Sequence, residues 1–192
     1  MDRGLGDDAV VLGVPRGGVI VARAVADELG LPLDVALARK LGAPRNPELA
    51  IGAIAEGGDV WLNDELIRRL GPDPAWLASV ISRETEELER RARRYRPGGP
   101  HPIGGMTAIV VDDGVATGAT LAAVLKATAV RRPARLICAV PVGPNDSLEM
   151  LAAHCDEVVC PLRPRRFGAV GEWYDDFSQT ADHEVVAALS GT

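Results

Sequence analysis

Short apolar runs alternate with helical patterns along this chain, and that alternation restricts the fold more than any other feature. Residues 10–12 (VVL), 33–38 (LDVALA), 107–113 (TAIVVDD), 135–142 (RLICAVPV) and 156–162 (DEVVCPL) read as buried strands. Residues 19–30 have helical spacing and end in glycine, a second helix starts at Thr120, and residues 146–154 form a third, with Asp146 as its cap. Strand–helix alternation predicts an α/β fold, with a parallel sheet of about five strands flanked by helices on both faces. Ligands of such sheets bind beyond the carboxyl ends of the strands.

One segment interrupts the alternation. Residues 39–100 lie between the second and third core strands as an insertion. Its start, RKLGAPRNPELAIG, reads as a loop, followed by a β-hairpin turning at Gly57-Gly58. A long helix follows, with Leu77, Val80, Ile81, Glu84 and Leu88 on one side. Its second half carries Glu86/Arg90 and Glu89/Arg93 at helical spacing, as a solvated face would. With 192 residues the chain suits a single domain, residues 1–192. A formal charge of -6 argues against a nucleic-acid partner, and no apolar run is long enough to span a membrane. Cys138, Cys155 and Cys160 show no metal or redox spacing and read as buried free thiols of a cytoplasmic protein. His101, His154 and His183 are scattered and support no nucleophilic triad.

The chemistry concentrates in VVDDGVATGAT, residues 110–120. Asp112 and Asp113 stand where a parallel strand leaves the sheet, and the loop behind them opens a helix whose free N–H groups attract anions. A nucleoside-triphosphate loop needs a lysine that is absent, and the dinucleotide pattern G-x-G-x-x-G is absent too. A sugar monophosphate satisfies both halves. Its vicinal hydroxyls donate to the carboxylates while its phosphate occupies the loop.

This stretch closely resembles the phosphoribosyl-diphosphate (PRPP) fingerprint of the type I phosphoribosyltransferases, and the likeness extends over roughly residues 9–179. Within that family the chain looks most like a poorly characterised bacterial group. The resemblance implies a Rossmann-like fold with a hairpin-plus-helix insertion and a C-terminal hood over residues 161–180. It implies Asp112 and Asp113 on the ribose hydroxyls, with Gly114, Val115, Ala116, Thr117, Gly118, Ala119 and Thr120 around the 5′-phosphate. VPRGGV, at another strand–helix junction, is similar to the family's diphosphate loop: Arg16 would supply charge and Pro15, Gly17 and Gly18 the backbone. Such loops often contain a non-proline cis peptide, expected here at Pro15-Arg16 or Arg16-Gly17.

The resemblance also implies a flexible loop that closes over the site. Residues 39–52 hold that place, with Arg39 and Lys40 ranked above Arg45 for neutralising the departing diphosphate. VGEWYD in the tail resembles the hood of the 6-oxopurine members. It points to Phe167 or Trp173 as the aromatic on a base and to Asp175 as a metal contact. Asp112, Asp113, Arg16 and Lys40 form the implied catalytic set, Mg²⁺ the implied cofactor, and a homodimer the expected assembly. Members of the group usually carry a helical segment before the first strand, which this chain lacks or has lost. The implied reaction moves the 5-phosphoribosyl group of PRPP to a nitrogen of a purine, pyrimidine or other acceptor. A PRPP- or nucleotide-sensing protein on the same fold is the competing expectation.

Overall fold

The computed structural model describes residues 8–56, 58–96 and 98–191. Strand β1 (Ala9–Gly13) leads into helix α1 (Gly17–Leu29), and β2 (Leu33–Val35) returns beside β1. After the insertion come β6 (Thr107–Val111), α4 (Ala119–Val130), β7 (Arg135–Ala139), α5 (Asn145–Ala152) and β8 (Glu157–Val159). The five core strands are all parallel, in the order β2-β1-β6-β7-β8. The expected architecture is therefore the observed one.

Successive side chains of a strand point to opposite faces, so strands covered on both sides are apolar throughout. Val11, Ile109, Val111 and Ile137 pack on Ala22 and Ala26 of α1. Their alternates Val10, Leu12, Val110, Leu136 and Cys138 pack on Leu121, Leu125 and Leu151 of α4 and α5. The register sets the ends level: Gly13 pairs with Val111, and Val111 with Ala139. The loops that follow β1 and β6 thus leave the sheet side by side. Asp146 lies in the first turn of α5 rather than at its cap, which Pro144 occupies with extended backbone.

The insertion departs from the expected loop. Residues 39–52 belong to a hairpin of β3 (Ala38–Ala43) and β4 (Asn46–Ala55), with exposed Pro44 and Arg45 at the tip. Leu41 and Ile54 share one face by alternation, and a β-bulge that leaves Ile51 unpaired between Gly52 and Ala50 turns it into the same core. β5 (Val60–Leu62) adds a third antiparallel strand. Of the expected turn pair, Gly57 lies outside the described residues, and Gly58 has a left-handed φ of 86°.

Helix α2 (Asp64–Leu70) follows; it was not foreseen, although its Asn63 cap accepts from the Leu66 amide at 3.0 Å. The long helix α3 (Pro74–Tyr95) starts with proline after Asp73, whose carboxylate accepts from the Ala75 and Trp76 amides. Val80, Leu88, Ala92 and Tyr95 bury its apolar side against β3 and β4. On its exposed face Arg90 turns to Glu87 at 2.9 Å rather than to Glu86, and Arg93 reaches Glu89 at 3.6 Å.

On the other side of the small sheet, Ala53 and Ala55 meet Ala123 and Ala127 of α4. Lys126 of the same helix lies 4.0 Å over the Trp61 ring. A buried ion cluster fastens the end of α3 to the main sheet. Arg96 reaches Asp34 at 2.5 Å and Glu56 at 2.9 Å, and Asp34 also accepts from the His101 amide at 2.7 Å. The tail forms a 3₁₀ turn (Val170–Trp173) and then α6 (Asp182–Ser190), also unforeseen, which packs on α1 and α3.

Candidate functional site

The acid pair and the loop behind it are shaped by contacts within the chain. Val111 is the last residue of β6, and the Asp112 amide donates to Ala139 O at 3.2 Å. The next residues turn sharply: the Asp113 amide donates to Asp112 Oδ1 at 2.9 Å. Buried Val115 anchors the loop, its amide donating to Val142 O at 3.0 Å. Ser147 of α5 donates to Ala116 O at 2.5 Å. Gly118 caps α4 with φ 76°, a left-handed conformation that favours glycine. Thr117 and Thr120 remain exposed beside the first turn of α4.

Residues 14–17 and 112–121 together border a cavity of about 310 Å³. The PRGG loop and the acid loop therefore border one cavity. Their contact explains the glycines of PRGG. A Cβ on Gly17 would overlap Asp113 Oδ2, and one on Gly18 would stand 2.7 Å from Asp112 Oδ1. The Pro15-Arg16 peptide is cis, as expected.

Two carboxylates packed on backbone are poorly hydrated. Burial, reinforced by the neighbouring Asp113 charge, pushes the Asp112 carboxyl up to about 7. Burial raises Asp113 as well. Tyr174 donates its hydroxyl to Asp113 O at 2.5 Å, and burial beside the two acids pushes its phenol up to about 12. The pair is thus suited to a ligand that brings donors or positive charge.

Arg39 and Lys40 lie in β3, not in a loop. Both border a second cavity of about 330 Å³, together with Pro15, Arg91 and Thr120. Arg39 is engaged there by Glu84, at 2.6 Å. Arg45 stands at the hairpin tip, away from these residues in sequence pairing and exposed.

The tail covers the opposite side. Val170 lies against Gly114, where a Cβ would come within 2.6 Å of Val170 Cγ1. A third cavity, about 540 Å³, is bordered by Arg16, Gly17, Ile20, Asp113, Tyr174 and Phe177 among others. The Tyr174 and Phe177 rings stand 5.2 Å apart. Phe167 is half-buried and Trp173 is 40% exposed, and neither borders this cavity. Asp175 is exposed, and it is the next residue, Asp176, that borders the cavity. The sequence signal for this aromatic pair is YDDF, which overlaps the end of the VGEWYD segment that carried the expectation.

The remaining reactive side chains lie elsewhere. Cys138 is a buried free thiol pushed up to about 12, while Cys155 is only half-buried. Among the described residues, no group of three His, Cys, Asp or Glu side chains could hold a metal ion. No helix among them is long and apolar enough to cross a membrane.

Comparison with known proteins agrees with this geometry. Residues 4–176 match the family model described as phosphoribosyl transferase domain. A Mycobacterium tuberculosis protein named "Putative phosphoribosyl transferase" is 48% identical over 185 residues, covering 96% of this chain and 42% of that protein. Its counterpart in a second strain gives the same values, 48% identity and 42% coverage. The chain therefore spans less than half the length of these curated relatives. The crystal structure of a Thermus thermophilus protein superposes with a TM-score of 0.88 at 43% identity, covering 98% of this chain and 90% of that one.

Proposed function

The chain belongs to the phosphoribosyl transferase domain family, and from that premise we propose that it moves the 5-phosphoribosyl group of PRPP to a nitrogen acceptor, releasing diphosphate. The observation that carries this reading is the direct packing of Gly17 and Gly18 on Asp113 and Asp112. It sets the PRGG loop and the acid loop on one cavity.

In this reading the phosphate rests on the α4 N-terminus, helped by the Thr117 and Thr120 hydroxyls. Asp112 and Asp113 accept from the ribose 2′- and 3′-hydroxyls, which restores hydrogen bonds to carboxylates that burial has stripped of water. Arg16 and the PRGG backbone hold the diphosphate. Displacement at C1 passes through an oxocarbenium-like state, as in glycoside hydrolysis. The chain's contribution is position, charge and exclusion of water rather than a nucleophile.

Arg39 and Lys40 approach from β3, so a hairpin carries these cations toward the site. Tyr174 and Phe177 border the cavity beside Asp113 and supply an apolar wall for a planar acceptor. The donor set suits Mg²⁺ only as an ion carried in with substrate, since among the described residues one or two carboxylates and no larger cluster are at hand. Asp112 and Asp113 are the groups that would face it, and when bound it neutralises charge on the departing diphosphate. A homodimer and a cytoplasmic setting complete the proposal.

The test is release of diphosphate from PRPP with Mg²⁺ and a panel of purine and pyrimidine bases, with Asp112→Asn/Asp113→Asn as the control. At least one acceptor should support release well above that control. If none does while ribose 5-phosphate still binds, the chain is a sensor and not a transferase.

A further inference from the structure

The charged half of α3 is more than a solvated face. Arg90, Arg91 and Arg94 border a cavity of about 370 Å³ whose opposite wall is Pro15 and Arg16 of the diphosphate-type loop, with Tyr95 and Asp182 completing it. Arg91 also borders the cavity that contains Arg39 and Lys40, so it flanks the loop on two sides. Four guanidinium groups thus converge in a chain whose formal charge is -6.

Two carboxylates answer them. Glu87 pairs with Arg90 at 2.9 Å and with Arg91 at 3.0 Å. Asp182 pairs with Arg94 at 2.6 Å and accepts from the Tyr95 hydroxyl at 2.8 Å. Four positive charges against two negative ones leave an excess of two, the charge of a phosphoryl dianion. The carboxylate of Asp182 occupies the position of an anion already: it sits between a guanidinium and a phenol at the cavity's edge.

We propose that Arg16, Arg90, Arg91 and Arg94 form a binding site for a phosphoryl anion between α3 and the PRGG loop, in which Asp182 competes for the same donors. The proposal rests on the reading of PRGG as a diphosphate loop. It makes α3 an extension of that loop, able to take the diphosphate as it leaves. Guanidinium groups suit this task because their planar donors match phosphoryl oxygens in pairs.

The experiment is calorimetric titration of the whole chain at low ionic strength with inorganic diphosphate, inorganic phosphate and ribose 5-phosphate as separate probes. Arg94→Gln should weaken diphosphate binding by about tenfold, the size of one lost charge-assisted hydrogen bond. Asp182→Asn removes the competitor and should tighten it. Damage to the α3–α6 contact would weaken binding in both variants, so the opposite signs separate a site from a structural tie. Ribose 5-phosphate affinity should stay unchanged in both. Stronger response to diphosphate than to phosphate identifies the leaving group as the ligand, while equal response identifies free phosphate. Unchanged diphosphate affinity in Arg94→Gln, or shifts of the same sign in both variants, overturns the proposal. If no acceptor supports diphosphate release yet the opposite shifts persist, the transferase reading falls and the anion site stands.

Discussion

Gly17 is packed so closely on Asp113 that its missing side chain is a requirement of the neighbouring loop: a Cβ there would overlap Asp113 Oδ2. Gly17 is the first residue of α1 and Asp113 the second residue beyond β6, so the contact joins the two loops at the sheet's carboxyl edge. Gly17→Ala should force Asp113 to rotate out of its place. The expected result is at least about a tenfold loss of ribose 5-phosphate affinity, read by calorimetry. The melting temperature should fall by only a few degrees, because overpacking costs about 1–3 kcal/mol. Retained affinity in the alanine variant would show that the acids do not face the sugar.

The acid pair makes stability depend on pH in an unusual direction. The Asp112 carboxyl lies near 7 in the folded chain and near 3.8 when unfolded, so the native state holds a proton that the unfolded state has released. Stability from this group is therefore present below about pH 4 and is lost as pH rises toward 7. Its size is at most about 4 kcal/mol. The difference in unfolding free energy between Asp112→Asn and wild type should grow in favour of the variant from pH 4 to pH 8. Ribose 5-phosphate binding to the wild type should strengthen over the same range, because the hydroxyls need the ionised form. A difference that is flat with pH would mean that Asp112 is already ionised at pH 4.

Much of this organisation is legible in the residues. Continuous apolar runs such as AVVLG and TAIVV announce strands buried on both faces, and the acid pair followed by TGAT marks its own position on the sheet edge. The β3–β4 hairpin is harder to read, because Gly42, Pro44 and Pro47 look like loop residues until Leu41, Ile51 and Ile54 are seen to share a core. Arg90 and Arg91 look solvated because each has an acid at helical spacing, and the partner of Arg94, Asp182, is remote in sequence. Only the fold brings them opposite Arg16. The hood aromatics were expected at Phe167 or Trp173, while the tail's path past Gly114 sets Tyr174 and Phe177 beside the acids.

The ion cluster at the base of the insertion should be costly to break on one side. Arg96 is nearly enclosed between Asp34 and Glu56, and burial raises the Glu56 carboxyl despite that partner. Arg96→Met would remove the guanidinium that bridges the two buried carboxylates and leave only the more distant charge of Arg131 near them. A loss of about 3–5 kcal/mol in urea unfolding is expected. The loss should be larger at pH 8 than at pH 5, since an unpaired carboxyl can take up a proton at the lower value. A cost below about 1 kcal/mol would show that water compensates the cluster.

Gly114 packs the loop behind the acid pair on the tail, and on the proposed function its replacement should separate sugar binding from acceptor binding. A Cβ at Gly114 would come within 2.6 Å of Val170 Cγ1 and 3.2 Å of Val142 Cγ1. Val142 is held by the Val115 amide bond, whereas Val170 sits in a short 3₁₀ turn on the surface, so the turn is the side that yields. Its displacement shifts Tyr174, which follows directly and bonds the Asp113 carbonyl. Gly114→Ala should therefore raise KM for the acceptor several-fold and change KM for PRPP less. A Tyr174→Phe variant should reproduce part of the effect, since it removes the bond and keeps the ring. Equal changes in both KM values would place the disturbance in the phosphate loop itself.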